Sequence, residues 1–180
     1  MGRPLKLGGP TLPLLHEPGH LMRRAHQWAV FHFHDTHGRH VTPVQYAILR
    51  ALQDQPGIDQ VTLAQRVALD TSTTADIAAR LETKGWIVRN ILPRRQRSLH
   101  LTDEGTALLA EMLPRVEAMY ARILEPLNAS EQADLLRLLG KLTAAENQAP
   151  PPSDSGKTLT LEDFHPWLTF SMMNVIQYAE

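Results

Sequence analysis

The sequence predicts a mainly α-helical fold with a small β-hairpin wing. Three observations predict it. Between Val61 and Thr102 the chain reads as helix, tight turn, helix, strand, basic turn, strand. On either side of that stretch, apolar residues recur every three or four positions, the period of a helix with one buried face. The flanking helical runs also carry start signals, at Thr42-Pro43, at Thr102-Asp103-Glu104 and at Asn128-Ala129-Ser130-Glu131.

The elements follow in chain order. Residues 1–17 are rich in Pro and Gly, contain Arg3 and Lys6, and read as an extended N-terminal arm. Pro18 suits the first turn of a helix that reaches about Thr36, with Leu21, Ala25, Trp28 and His32 on one face and Gly38 as its stop. Thr42 caps the second helix, whose apolar stripe is Tyr46, Ile48-Leu49 and Leu52. Gln55-Pro56-Gly57 ends it. The third helix begins after Thr62 and buries Leu63, Ala64 and Val67. Ser72 is read as the cap of the fourth helix, which runs to Lys84 and stops at Gly85. Along it Ile77 and Leu81 face inward, while Thr73, Thr74, Asp76 and Arg80 face outward.

Trp86–Leu92 and Ser98–Leu101 are expected to be strands, joined by the basic tip Pro93-Arg94-Arg95-Gln96-Arg97. Thr102 caps a long helix, with two acids in its first turn to suit the helix dipole and Pro114 as an expected kink. The last helix of the body carries Leu135, Leu138, Leu139 and Leu142. Residues 147–157 form a Pro/Ser linker, and 158–180 an extension apolar enough to require a surface to pack on.

Bulk properties narrow the function. A chain of 180 residues suits one domain or two small lobes sharing a core. Without cysteine it forms no disulfide and no thiolate metal site, as suits a reducing cytosol. No run of eighteen apolar residues predicts a membrane span, and the first residues do not read as a secretory signal. Phosphate-binding glycine loops, a nucleophile elbow and a zinc-protease helix are all missing, so neither an enzyme nor a cofactor is expected.

Charge is polarised. Residues 1–75 hold seven Lys/Arg against five Asp/Glu, residues 76–97 six against two, and residues 98–180 five against twelve. Positive charge therefore gathers on the fourth helix and the hairpin. A local basic face is enough to release counterions from DNA, and the acidic remainder would keep the other surfaces off it. A helix presented by a shorter one and flanked by a basic hairpin is an arrangement that reads double-stranded DNA. Ser72, Thr73, Thr74, Arg80, Arg94, Arg95 and Arg97 are the candidate contacts. The rival reading is a protein-interaction module that never meets DNA, with the apolar extension as its best feature.

Leu81-Glu82-Thr83-Lys84-Gly85-Trp86-Ile87-Val88-Arg89, followed by Arg94-Arg95 and Leu101-Thr102-Asp103-Glu104-Gly105, resembles the MarR family of bacterial transcription regulators over about residues 18–146. The resemblance implies a winged helix-turn-helix with a helical dimerisation lobe. The winged unit would span 41–102, and helices in 18–40 and 103–146 would intertwine in a homodimer on a palindromic operator. The family's wing usually has an aspartate two residues before the arginine matching Arg95. Pro93 stands there instead, so Arg95 needs another orienting partner.

The resemblance also implies release from DNA by an aromatic or phenolic acid. His20, Arg23, His26, Trp28 and Tyr46 are the candidate ligand residues, an arginine with histidines and a tyrosine suiting a carboxylate on a small ring. Seven of the nine histidines lie between His16 and His40. The spacings His16/His20 and His34/His37 lack a third ligand nearby, so no metal site is expected.

Overall fold

The computed structural model describes residues 13–91 and 97–146. A short 3-10 turn, Leu14–His16, leads into α1, Pro18–His37. Then come α2 (Pro43–Asp54), β1 (Ile58–Asp59), α3 (Gln60–Arg66), α4 (Thr71–Thr83), β2 (Ile87–Ile91), β3 (Arg97–Leu101), α5 (Asp103–Leu124) and α6 (Ala129–Glu146). The strands form one antiparallel sheet in the order β1-β3-β2. This is the expected mainly helical, winged architecture. The described residues up to Ala129 form one compact unit, and those from Ser130 on form a second.

Several helix starts are set by side chains. Thr42 and Gln45 form a reciprocal capping box at α2, with Pro43 in the first turn. The expected start of α3 after Thr62 is corrected to Gln60. Asp59 Oδ1 accepts from the backbone N–H groups of Val61 and Thr62, both at 3.0 Å, which pulls the first turn earlier. Likewise α4 is capped by Asp70 rather than by Ser72. An aspartate two residues earlier offers two charged acceptor oxygens where a serine offers one neutral one.

The wing is trimmed at one end. Trp86 was expected to open β2, but its N–H bonds back to Leu81 O at 3.0 Å and so closes the end of α4. Gly85 makes that closure possible, with φ +74°. In the hairpin Ile87 pairs with Leu101 and Ile91 with Arg97. β1 was not anticipated. Two residues carry no alternation, and only the pairing of Ile58 with Leu99 reveals the strand.

One core gathers Ile48, Leu49 and Leu52 of α2, Leu63 of α3, Leu81 of α4, Ile87, Leu99 and Leu109 of α5. A second, between α1 and α5, holds Phe33, Val41, Met112, Val116 and Met119. Tyr46, Trp86 and Leu108 touch both cores and make them continuous.

Thr102 locks α5 to the base of the wing. Its hydroxyl donates to Gly85 O at 2.6 Å and accepts from Gly105 N–H at 3.0 Å, and its own N–H bonds Trp86 O at 3.1 Å. Gly105 lies so close that a Cβ there would stand 2.0 Å from Trp86 O. The threonine and the glycine of the Leu-Thr-x-x-Gly stretch are thus two halves of one joint.

The expected inward face of α1 is corrected except at His32, which is buried as expected. Leu21, Met22, Trp28 and Phe31 are exposed, whereas His20, His32, Phe33 and His37 are buried. α6 likewise leaves Leu136, Leu138, Leu139 and Leu142 exposed. No helix among the described residues is long and apolar enough to cross a membrane. The linker and C-terminal extension lie outside the described residues.

Candidate nucleic-acid interface

The helix pair α3–α4 is joined by Val67–Asp70, with Ala68 in the left-handed region at φ 54°. α4 buries Thr74, Ala78 and Leu81, spaced by four and three residues, against the first core. That fixes its opposite face. Ser72, Asp76 and Arg80 are exposed and Thr73 is half-buried. The expectation that Thr74 faces outward is corrected. It is fully buried, and its hydroxyl donates to Asp70 O at 2.9 Å, so it packs the helix rather than offering a contact to DNA.

Asp70 organises the leading turn. Its Oδ1 accepts from Ser72 Oγ at 2.5 Å and from Thr73 N–H at 2.8 Å, and its Oδ2 accepts from Thr73 Oγ1 at 2.6 Å. The hydroxyls of Ser72 and Thr73 and the Thr73 backbone N–H hold the carboxyl far below the usual carboxylate range.

The cations divide into two groups. Arg89 pairs with Glu82 through Nε at 2.7 Å and through a second contact from Nη2, and its backbone N–H bonds Glu82 Oε1 at 3.2 Å. This ties α4 to β2. Lys84 Nζ donates to His40 O at 2.9 Å and lies 4.4 Å from the centre of the Trp86 ring, and burial lowers its pKa. Both residues brace the wing. Arg80 is exposed on α4, and no carboxylate among the described residues pairs with it. Arg97 opposes Ile91 at the end of β3. Arg94 and Arg95 lie outside the described residues.

The candidate ligand residues are less gathered. His20 is buried, Arg23, His26 and Trp28 are exposed, and Tyr46 is half-buried. Trp28 Nε1 donates to Ile123 O at 3.2 Å, near the end of α5. Tyr46 instead packs on Phe33, ring centres 5.7 Å apart. At ~1.5 Å per residue, Arg23 sits roughly 15 Å along α1 from Phe33. One subunit therefore does not bring all five together.

Burial, and Tyr120 beside it, raise the Tyr46 pKa and keep its hydroxyl a donor. Two buried histidines lie nearby. His32 has both ring nitrogens, and His37 its Nε2, buried without a hydrogen-bond partner among the described residues. His37 packs on Phe33, ring centres 4.9 Å apart, while His32 lies edge-on to Trp28 at 4.2 Å.

The MarR family profile matches residues 41–99. The transcriptional regulator HosA of Escherichia coli is 35% identical over 104 residues, covering 57% of this chain and 77% of HosA. The chain belongs to the MarR family. Among solved structures, the PcaV transcriptional regulator of Streptomyces coelicolor, in complex with its natural ligand, superposes with TM-score 0.71. It is 35% identical, over 77% of this chain and 99% of PcaV. BpsR of Bordetella bronchiseptica, whose DNA binding is regulated by 6-hydroxynicotinic acid, gives TM-score 0.70 at 30% identity, over 74% of this chain and 98% of BpsR. This MarR-family protein is therefore a DNA-binding transcription regulator with a winged-helix fold.

Proposed function

We propose that this regulator represses transcription as a homodimer on a palindromic operator, and that a small aromatic carboxylic or phenolic acid releases it. The observation that carries the reading is the outward side of α4. It presents Arg80 without a carboxylate partner among the described residues, on a helix fixed by a closed core, while Arg89 and Lys84 hold the wing in place. Two such helices joined in a dimer must sit about one DNA turn apart, roughly 34 Å, to enter successive major grooves. Arg80 and Arg95 are its proposed principal contacts, with Arg94 and Arg97 on the adjacent backbone.

Replacing Arg80 and Arg95 together by Ala tests this. Operator binding falls by at least about a hundredfold, two contacts being lost in each subunit, while the dimer persists. An unchanged gel shift removes the assignment.

For release, we propose a site completed by two subunits. His20, Arg23, His26 and Trp28 of one copy would meet Tyr46 of the other, with the arginine and the tyrosine hydroxyl holding a carboxylate. The regulation of BpsR by an aromatic acid supports this class of ligand. To swing occupancy from one state to the other, the ligand must favour the released state by about 5.5 kcal/mol. A thermal-shift screen of aromatic carboxylates, followed by operator titration, tests it. Acids that bind tightly and leave operator affinity unchanged would refute release by that ligand.

A further inference from the structure

We infer that the first turn of α4 reads an exocyclic amino group of a base, adenine N6 or cytosine N4, through hydroxyls that can only accept hydrogen bonds, and that Asp70 sets this preference. The inference rests on the DNA-reading role proposed for α4.

Ser72 Oγ and Thr73 Oγ1 stand 2.5 and 2.6 Å from the two oxygens of the Asp70 carboxylate. An ionised carboxylate has no hydrogen to give, so the hydrogen in each contact belongs to the hydroxyl. The low pKa of Asp70 keeps it ionised at neutral pH. A hydroxyl has one hydrogen and two lone pairs. With the hydrogen committed to Asp70, only lone pairs remain to face a partner. Thr74 takes no part, being buried and bonded to Asp70 O.

The groove offers few matches to such a surface. Phosphate oxygens, guanine O6 and N7, adenine N7 and thymine O4 are all acceptors. The donors on the major-groove edge are adenine N6 and cytosine N4. Serine and threonine hydroxyls at DNA interfaces often donate to phosphate. Here that mode is closed, and the exposed Asp70 carboxylate beside the hydroxyls repels phosphate as well. Backbone contact falls to Arg80 and the wing arginines, leaving the leading turn to the bases.

The test uses full-length protein and duplexes selected from a randomised pool. In the selected operator, each adenine is replaced in turn by purine, and each cytosine by 2-pyrimidinone, so that only the amino group is lost. One position per half-site should weaken binding about fivefold, the worth of one neutral hydrogen bond. The Ser72→Ala/Thr73→Ala variant should not register that change. Asp70→Asn keeps a capping oxygen but replaces the second acceptor with an NH2 donor, freeing one hydroxyl to donate. Selection with this variant should move that position towards guanine or thymine.

Binding insensitive to every analogue overturns the inference and leaves DNA binding intact. Sensitivity that persists in the double alanine variant also overturns it, since another residue then reads the amino group. A selection that enriches no sequence overturns both this inference and the operator reading beneath it. Should Asp70→Asn fail to fold, the analogue series with the double alanine variant still decides.

Discussion

The two ends of this subunit treat apolar surface in opposite ways. From α2 to β3, most large aliphatic side chains are sealed, Val61 and Val88 excepted. Ile48, Leu49, Leu52, Leu63, Leu81 and Leu99 are all fully buried. Along α1 the reverse holds, with Trp28 46% and Phe31 59% exposed and their rings stacked 6.0 Å apart. α6, considered by itself, leaves Leu136 and Leu142 more than half exposed. A sealed core is what a rigid DNA-reading lobe needs, because the face of α4 is fixed only if its buried face is. Open apolar helices call for a cover. One stretch is sealed within the chain, while α1, and separately α6, expose apolar surface that the proposed second copy would cover.

Breaking the unfinished end should have the largest effect. Phe31→Asp removes an apolar side chain that the isolated subunit leaves in water, so the fold itself should survive. In a twofold dimer the change acts twice, at about 1.5–3 kcal/mol per buried phenylalanine. Dimer dissociation should rise by roughly a hundredfold or more, read by sedimentation equilibrium. A dimer of unchanged affinity would place the cover elsewhere.

The finished end should fail differently. Gly105→Ala drives a Cβ into the Trp86 carbonyl, which is backbone and cannot swing aside. About 3 kcal/mol of stability should be lost, seen as a lower denaturant midpoint, because α5 must shift off the wing base. Here the fold weakens before assembly does, the opposite order to Phe31→Asp. A midpoint within experimental error of the parent would show that α5 is not clamped at Thr102.

These two regions also explain what the sequence could reveal. The winged lobe was readable almost element by element, because local signals and burial agree there. Thr42 and Thr102 cap where hydroxyls should, and Ile48, Leu52 and Leu81 fall on the helical period. The misses have local causes. Asp59 and Asp70 outcompeted later hydroxyls for the helix starts, Thr74 was judged by its polarity though its hydroxyl bonds back to Asp70 O, and β1 exists only through its partner strand. On α1 the apolar period pointed to Leu21, Ala25, Trp28 and His32, yet of these the chain buries only His32, together with His20, Phe33 and His37. Periodicity reports that a face is apolar and is silent on whether the same chain covers it. Of the candidate DNA contacts, Ser72 and Arg80 were legible as exposed residues of α4. The candidate ligand residues were not legible as a group, since Arg23 and Tyr46 lie on separate helices and Tyr46 packs on Phe33 instead.

The buried histidines give the comparison a pH axis. His37 has its pKa lowered by burial first, then by Arg115 and His40. A base whose folded pKa is depressed binds fewer protons folded than unfolded. Well above its ordinary value of 6.5 it is neutral in both states and contributes nothing to the pH dependence. As pH falls below 6.5 the unfolded chain takes up the proton first, and stability declines until the folded pKa is reached. Thermal melts between pH 7 and about pH 5 should therefore fall less steeply for His37→Gln than for the parent. The slopes are compared, not the absolute midpoints, since Gln changes packing as well. Parallel slopes would mean that His37 gains a proton as readily folded as unfolded.

The smallest expected effect lies in the connection between the two helices of the DNA-reading pair. Ala68 holds φ 54°, where a Cβ crowds the following carbonyl, at about 1–2 kcal/mol for a residue other than glycine. Its N–H bonds Gln65 O at 3.3 Å, and the next N–H, of Leu69, reaches Ala64 O at 3.0 Å, so the turn is held by backbone bonds that need no side chain. Glycine would remove the crowding and lose about 0.4–1 kcal/mol to its freer unfolded chain. Ala68→Gly should therefore raise stability by at most about 1.6 kcal/mol, with the denaturant slope unchanged. The angle between α3 and α4 would be kept, so operator affinity should hold within about twofold, since that angle is what the backbone bonds set. A loss of stability would mean that this turn carries no strain, and that the sealed lobe is relaxed even at its tightest bend.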